Sequence, residues 1–293
     1  MLSILIPTFN TAIGELLQEL HRQIQADQLP ARVLIYDDAS SDQVIASQNK
    51  EQANALGFEY LSNTENLGRT ATRSKLAEAA KTDWLLFLDA DVMPARKDYL
   101  KSMLADIHDD WNVIFGGIEY AATPPKREQM LRYVYGKKRE AKSAVQRAEN
   151  PHFIISQSLC ITKSMFQKCN TITAKGYGLD NLFSNNLKKQ KARVKHTDNP
   201  VVHLGLESSD TFLEKSLAGI QTTMELEAQG KLEADLRPIQ RVYNRLKKFG
   251  LTGVFLALSN AFSGAIVKNL KSNKPSLLLF DVYRMNHLIK LKK

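Results

Sequence analysis

The residues with the plainest chemical purpose are Asp89 and Asp91, separated by the small Ala90 and preceded by the apolar run Leu85-Leu86-Phe87-Leu88. Two carboxylates held this close repel each other unless a cation joins them. Alternation at the end of an extended strand turns both the same way. A divalent metal carrying a phosphate-bearing ligand satisfies the pair, because hard cations take carboxylate and phosphate oxygens. A second acidic pair, Asp37-Asp38, follows another apolar run, Val33-Leu34-Ile35-Tyr36. It either serves a ligand or caps the next helix, and Ser40, Ser41 and Asp42 are better placed as caps.

Familiar phosphate cradles are absent. The loop after the first strand is Pro7-Thr8-Phe9-Asn10, not Gly-x-Gly-x-x-Gly, and no Gly-x-x-x-x-Gly-Lys-Ser/Thr occurs. A phosphate group would therefore be held by metal or by basic side chains. The two cysteines, Cys160 and Cys169, form neither a zinc-type cluster nor a disulfide framework, and read as reduced thiols of a cytoplasmic protein. The N-terminus lacks the basic region and the apolar length of a signal peptide.

These residues need a scaffold that brings strand ends together. Residues 2–6 read as a strand ended by Pro7, which cannot donate to a ladder. Ile13, Leu16, Leu17, Leu20 and Ile24 recur at helical spacing. A strand at 32–36, a polar helix to residue 56, a strand at 58–61, a turn at Asn66-Leu67-Gly68, a helix at 69–80 and a strand at 84–89 follow. Such alternation predicts an α/β fold with a Rossmann-like, mostly parallel central sheet flanked by helices. The carboxyl ends of parallel strands share one edge, where ligands sit, so 7–10, 37–38 and 89–91 converge there.

Further on, the pattern predicts a helix at 98–107, a strand at 113–120 and a break at Thr123-Pro124-Pro125. Within that strand Gly116-Gly117 allow close backbone approach. A basic helical stretch at 128–147, a strand at 153–161 and a helix at 163–169 come next. A Gly-rich loop at 175–181 leads into a helix ending near 191, followed by short strands at 193–195 and 201–204 and helices from 209 onward.

Five stretches in order, Ile6-Pro7-Thr8-Phe9-Asn10, Asp37-Asp38-Ala39-Ser40, Asn66-Leu67-Gly68, Leu88-Asp89-Ala90-Asp91 and Gly178-Leu179-Asp180, resemble the family 2 glycosyltransferases. These are nucleotide-sugar-dependent enzymes of the GT-A fold, and the resemblance covers residues 2–210. It implies a catalytic domain over 1–208, nucleotide-binding over 1–120 and acceptor-binding over 121–208, with a helical basic extension over 209–293. It also implies roles. Asp38 would accept a hydrogen bond from a base N–H, with Asp37 near the base or ribose. Phe9 would lie against the base face or in the core, and Pro7 would shape the turn.

Arg69 and Arg73 lie four apart on one helix face. Either would reach the base or diphosphate, the family pattern favouring Arg73. Asp89, with Ala90, would contact ribose or a metal-bound water. Asp91 would bind Mn²⁺ or Mg²⁺ directly. His203 resembles a further metal ligand, although an isolated histidine is often structural. Asp180 matches the general base, but its usual acidic neighbour is here Leu179.

The implied function is an inverting, metal-dependent transfer of one sugar from a nucleotide sugar, expected to be UDP-linked, to a glycan or lipid-linked acceptor in cell-surface polysaccharide biosynthesis. The alternatives are a non-catalytic nucleotide-sugar-binding scaffold, hinted at by Leu179, and a sugar nucleotidylyltransferase, whose Gly-rich, Arg-containing loop residues 7–10 do not resemble. The Gln-x-x-Arg-Trp motif of processive synthases is absent, which points to a single addition.

Formal net charge is +9, and its location matters. Residues 238–293 hold eleven Lys/Arg and one acid, Asp281, so this tail alone carries +10 and the rest −1. That distribution argues against a nucleic-acid groove in the body. Residues 249–267 carry no charge, about the length of a membrane span, but include Thr252, Ser259, Asn260 and Ser263. The expectation is a cytoplasmic protein whose basic tail attaches peripherally to the inner membrane face, the alternatives being a membrane span, a dimer element or helices packed on the body.

Overall fold

The computed structural model describes residues 1–172 and 175–293. In chain order the elements begin with β1 (Leu2–Thr8), α1 (Gly14–Asp27), β2 (Ala31–Asp37), α2 (Gln43–Ala55), β3 (Glu59–Ser62), α3 (Arg69–Ala79), β4 (Trp84–Leu88), β5 (Val92–Pro94) and α4 (Tyr99–Asp106). Next come β6 (Val113–Phe115), β7 (Ile118–Glu119), α5 (Met130–Tyr135), α6 (Ala144–Ala148), β8 (Ser158–Thr162), α7 (Lys163–Cys169), α8 (Leu179–Lys189), β9 (Val194–His196) and β10 (Val201–His203). The chain finishes with α9 (Ser209–Ala228), α10 (Pro238–Lys248), α11 (Thr252–Ala261), α12 (Ser263–Leu270) and α13 (Leu277–Leu291).

These elements form two compact units. The larger comprises Met1–Ala121, Glu140–Lys175 and Asn186–Gly205; the smaller comprises Ala122–Arg139, Gly176–Asn185 and Leu206–Lys293. The division therefore does not follow the single cut at residue 208 that the sequence led us to expect. The reason is apolar: Leu131 and Tyr135 of α5 pack with Phe212, Leu213 and Phe280, so the segment around α5 belongs with the C-terminal helices.

The larger unit holds a seven-stranded sheet in the order β3-β2-β1-β4-β8-β6-β9. Strands β1 to β4 run parallel. β8 is antiparallel to both β4 and β6, and β9 is parallel to β6. Every residue of β4 is buried, as a central strand covered on both faces requires, which is why it reads as an unbroken apolar run. Leu2, Ile4 and Ile6 pack with Leu16, Leu17 and Leu20 of α1 and with Tyr99, Leu100 and Met103 of α4. Each such buried side chain contributes about 1.5–3 kcal/mol. Burial raises both thiols, Cys169 to about 12, so they stay protonated.

Several expected boundaries moved. β1 continues through Pro7 to Thr8, because its pairing with β4 ends at Leu5↔Phe87 and Pro7 lies beyond that ladder. The expected strand at 113–120 divides at Gly116-Gly117 into β6 and β7, which belong to different sheets. Gly117 has φ +94°, and a Cβ on Gly116 would meet the Asn199 carbonyl oxygen at 2.0 Å. The helical stretch at 128–147 is interrupted: a π-turn follows α5, and Ser143 caps α6 with Gln146. The strand expected from 153 begins only at Ser158.

In the smaller unit, a first apolar cluster gathers Leu131, Phe212, Leu213, Ile266, Leu270 and Phe280. A second gathers Ile220, Tyr243, Leu256, Met285, Leu288 and Ile289. The uncharged run at 249–267 is not one helix; α11 and α12 meet at Phe262 with a bend of 67°. Among the described residues no single helix is long and apolar enough to cross a membrane.

Candidate functional site

Register places the site. Thr8 pairs with Asp37, and Asp37 with Ser62, so the carboxyl ends of β1, β2 and β3 stand side by side. Leu5 pairs with Phe87, so two residues further along each parallel strand Asp89 emerges beside Pro7. The three stretches expected to converge on one sheet edge do so.

Asp37 and Asp38 are both buried. Asp37 accepts hydrogen bonds from the Ser40 hydroxyl and from the Ser40 backbone N–H, at 3.2 Å for the latter. Its carboxylate thus closes the turn that leads toward α2. Asp38 is engaged more heavily: Oδ1 accepts from Asn63 Nδ2 (2.7 Å) and Leu67 N–H (2.8 Å), and Oδ2 from Gly68 N–H (2.8 Å). It therefore ties the loop before α3 to the end of β2. A carboxylate offers about four acceptor positions, so about one is left for a ligand. Phe9 projects from the end of β1, 44% exposed, and Asn10 follows with φ +49°.

Arg69 and Arg73, on one face of α3, meet a single carboxylate. Arg73 Nη2 donates to Asp89 Oδ1 and Arg69 Nη2 to Asp89 Oδ2, both at 2.7 Å. Arg73 also donates to the Ser156 carbonyl and Arg69 to the Ser156 hydroxyl. Asp89 is thus clamped by two guanidinium groups, with its own N–H bonded to Gln157 O. Ala90, half-buried, packs against the core and separates the two acids.

Asp91 faces a different partner. Antiparallel pairing sets His203 opposite Val92, and the His203 ring nitrogen Nε2 lies 3.2 Å from Asp91 Oδ2. The Leu204 N–H bonds to Asp91 O at 2.8 Å. Burial opposes ionisation of Asp91, but the His203 hydrogen bond and charge, with Arg69 beyond, outweigh it and hold the carboxyl below its ordinary value. His203 is itself buried, edge-on to the Tyr120 ring. Gly205 completes the arrangement: a Cβ there would lie 2.0 Å from Asp91 Oδ2.

Asp180 belongs to the smaller unit, in the first turn of α8. A helix N-terminus favours its negative charge. Gly178, with φ +88°, precedes it, and a Cβ at that position would press on the Gly219 backbone at 2.9 Å. Arg237 donates to Asn181 Oδ1. Burial drives the Arg237 guanidinium below its ordinary value, an effect that the Asp180 charge partly offsets.

Sequence reasoning missed four contributors to this chemistry. Gly205 was signalled only by following His203-Leu204. Asn63 had no motif beyond lying just before Asn66-Leu67-Gly68. Neither Ser156, which the arginines share, nor β5, which carries the strand opposite His203, had any signal.

The sequence model of the family "Glycosyl transferase family 2" matches residues 3–173, more than half of the chain. The chain belongs to glycosyl transferase family 2. A Haemophilus influenzae protein described as an uncharacterized glycosyltransferase is 34% identical over 93 residues; the match covers 31% of this chain and only 29% of that protein's length. Among solved structures, a mannosyltransferase from Pyrobaculum calidifontis, in complex with GDP-Man and Mn²⁺, aligns with a TM-score of 0.59 at 17% identity, over 99% of this chain and 84% of that one. A glucosyl-3-phosphoglycerate synthase from Mycobacterium tuberculosis, in complex with Mg²⁺ and UDP, aligns with a TM-score of 0.53 at 12% identity, over 80% and 81% of the two chains. At these identities the likeness establishes the GT-A fold alone.

The residues of this family 2 domain fit a divalent metal in a particular way. Among the described residues no group of three or more His, Cys, Asp or Glu side chains gathers as a self-sufficient metal site. Asp91 and His203 supply one carboxylate and one imidazole. Mg²⁺ is commonly bound by one or two carboxylates plus substrate phosphates, keeping waters elsewhere. The pair therefore suits a metal that arrives with, or is completed by, a diphosphate. Asp89, committed to Arg69 and Arg73, is the less suited of the two acids.

Proposed function

We propose that this chain is a metal-dependent, inverting glycosyltransferase that moves a single sugar from a nucleotide sugar to a glycan or lipid-linked acceptor, in cell-surface polysaccharide biosynthesis. The observation that carries the reading is Asp91 beside His203 at the carboxyl edge of the sheet, with Gly205 leaving room for the carboxylate.

In this reading Asp38 accepts from the base through its remaining acceptor position, Phe9 covers the base face, and Pro7 sets the turn that presents Phe9. Asp37 holds the adjoining turn through Ser40. Asp89, fixed by Arg69 and Arg73, is aimed at the ribose with Ala90 beside it, and the two arginines stand where the base or the diphosphate would lie. Asp91 and His203 would hold Mn²⁺ or Mg²⁺. The metal, when bound, neutralises the charge that develops on the departing diphosphate. Asp180 takes the proton of the acceptor hydroxyl as that oxygen attacks the anomeric carbon, so the bond to sugar forms as the bond to diphosphate breaks.

One acceptor position on Asp38 suits a base with one ring N–H to offer. Uracil and thymine present one such group, whereas guanine presents a ring N–H beside an amino group. UDP-sugars are therefore the favoured donors. The solved relatives were crystallised with GDP-Man in one case and UDP in the other, so both nucleotides belong in the test. Leu179 in place of an acid favours a second reading, a non-catalytic nucleotide-sugar binder.

Turnover separates the two. Incubation with a panel of nucleotide sugars, Mn²⁺ and candidate acceptors should release nucleoside diphosphate; tight binding without release would establish the binder instead. Asp91→Ala should remove metal-dependent donor binding. Asp180→Ala should keep donor affinity and lower kcat by about 10²–10⁴-fold. Donor affinity unchanged by Asp91→Ala would overturn the metal assignment.

A further inference from the structure

The smaller unit carries an exposed apolar surface along α11 and its flanks. The inner side of α11 is settled: Leu256 and Ser259 are buried, and Asn286 of α13 donates to Ser259 Oγ (2.7 Å) and Asn260 Oδ1 (2.9 Å). The outer side of such a surface helix is ordinarily polar. Here it is not. Leu251, Val254, Leu258 and Phe262 succeed one another at steps of three, four and four, one stripe of a helix, and are between 46% and 62% exposed. Phe249 precedes them at 70%, and Ala261, Gly264 and Ala265 around the bend are exposed as well.

Charge frames this stripe. No ionisable residue lies between Lys248 and Lys268. Lys247 and Lys248 stand exposed at one end, Lys268 and Lys274 at the other. The only acid after residue 237, Asp281, is engaged by Arg139 and Arg284 and offers no counter-charge. α11 and α12 bend by 67° and neither is long enough to span a bilayer. An apolar stripe parallel to a helix axis, closed at both ends by lysines, matches the interface of an anionic bilayer: apolar groups at the acyl boundary, ammonium groups at the phosphates.

We propose that the α10–α12 region is a membrane-docking surface, with Phe249, Leu251, Val254, Leu258 and Phe262 entering the interface of an anionic bilayer and Lys247, Lys248, Lys268 and Lys274 lying against the headgroups. This is independent of which sugar moves, and of whether any sugar moves at all.

The test uses the full chain and vesicles. Protein is sedimented with vesicles of equal parts phosphatidylcholine and phosphatidylglycerol, or of phosphatidylcholine alone, at about 0.1 M and about 0.5 M salt. The anionic vesicles should bind at least about tenfold more tightly, and high salt should weaken that binding. Val254→Ser/Leu258→Ser/Phe262→Ser should lose about tenfold or more in affinity, as should Lys247→Gln/Lys248→Gln/Lys268→Gln/Lys274→Gln. All replaced side chains are exposed, so melting temperature and circular dichroism should match the parent protein. Failure of the parent protein to bind either vesicle overturns the proposal, as does undiminished binding by the serine variant. A concentration-dependent dimer in sedimentation velocity, abolished by the serine variant and with no vesicle binding, would assign the stripe to a second copy of this chain instead.

Discussion

At the scale of single residues, the two acids of Asp89-Ala90-Asp91 are two apart in sequence and opposite in circumstance. Asp89 is clamped by two arginines, Asp91 is paired with one histidine. Arg73 is nearly buried and Arg69 is 43% exposed. Removing Arg73 leaves a poorly solvated Asp89 charge with one screened partner, so Arg73→Met should cost about 3 kcal/mol. Arg69→Met should cost less than about 1 kcal/mol, because an exposed guanidinium is screened by water. Urea denaturation of the two variants checks the ranking; equal losses would show that Arg73 does not dominate the clamp. Gly205→Ala tests the other acid. A methyl group 2.0 Å from Asp91 Oδ2 must displace the carboxylate or the strand end. Mn²⁺-dependent UDP affinity, measured by calorimetry, should fall at least about tenfold, with metal-independent binding less affected. The motif residues were legible because a strand end followed by an acid is a local pattern. Gly205 and Ser156 were not, since their purpose appears only when segments more than a hundred residues from Asp91, or more than eighty from Arg69 and Arg73, close on them.

At the scale of elements, the parallel half of the sheet was readable from periodicity, and the rest less so. β1 to β4 are each a short apolar run bounded by turn residues, and appear close to where they were expected. β5 and β7 are two or three residues long and stabilised by pairing with β10, which no local window reveals. The 128–147 stretch has helical composition throughout, yet the π-turn and the Ser143 cap interrupt it. The π-turn places Arg139 against Asp281 of α13, with Nη1 to Oδ1 at 2.9 Å, while Arg284 donates to the same Oδ1. Burial pushes the Asp281 carboxyl up, but the Arg139 and Arg284 hydrogen bonds outweigh it and hold it below its ordinary value. A lowered folded-state value means that the ionised carboxylate stabilises the fold above its unfolded pKa, and that this is lost as pH falls through the folded value. Asp281→Asn should therefore lower the melting temperature by a constant small amount above about pH 5. The gap should narrow as pH falls below the unfolded value of about 3.9 and close below the lower folded value. A gap that widened in acid would contradict this sign. The effect is modest because the carboxylate is 39% exposed.

At the scale of the whole molecule, the two units are interleaved along the chain, which no composition shift announced. The tail was visible as a basic, helical region from its charge, but Leu131 and Tyr135 gave no sign that they belonged with it. Expression of residues 1–208 alone tests the interleaving. That fragment keeps α5 and loses Phe212, Leu213, Ile266, Leu270 and Phe280, leaving Leu131 and Tyr135 without their apolar partners. A larger share of it than of the full chain in matched buffer should be recovered as aggregate; a stable, soluble, cooperatively melting fragment would show that the expected boundary is a real one.

The same interleaving sets a clock. A ribosome delivers Leu131 long before Phe280, its partner in the same apolar cluster. At roughly 5–20 residues per second, the intervening stretch takes about seven to thirty seconds to emerge. For that interval the parallel sheet has its strands to hand, while α5 waits with a bare apolar face. Nascent chains of this protein should therefore be at greatest risk of capture by chaperones, or by one another, during the second half of synthesis, and the arrival of α13 is the event that ends the wait.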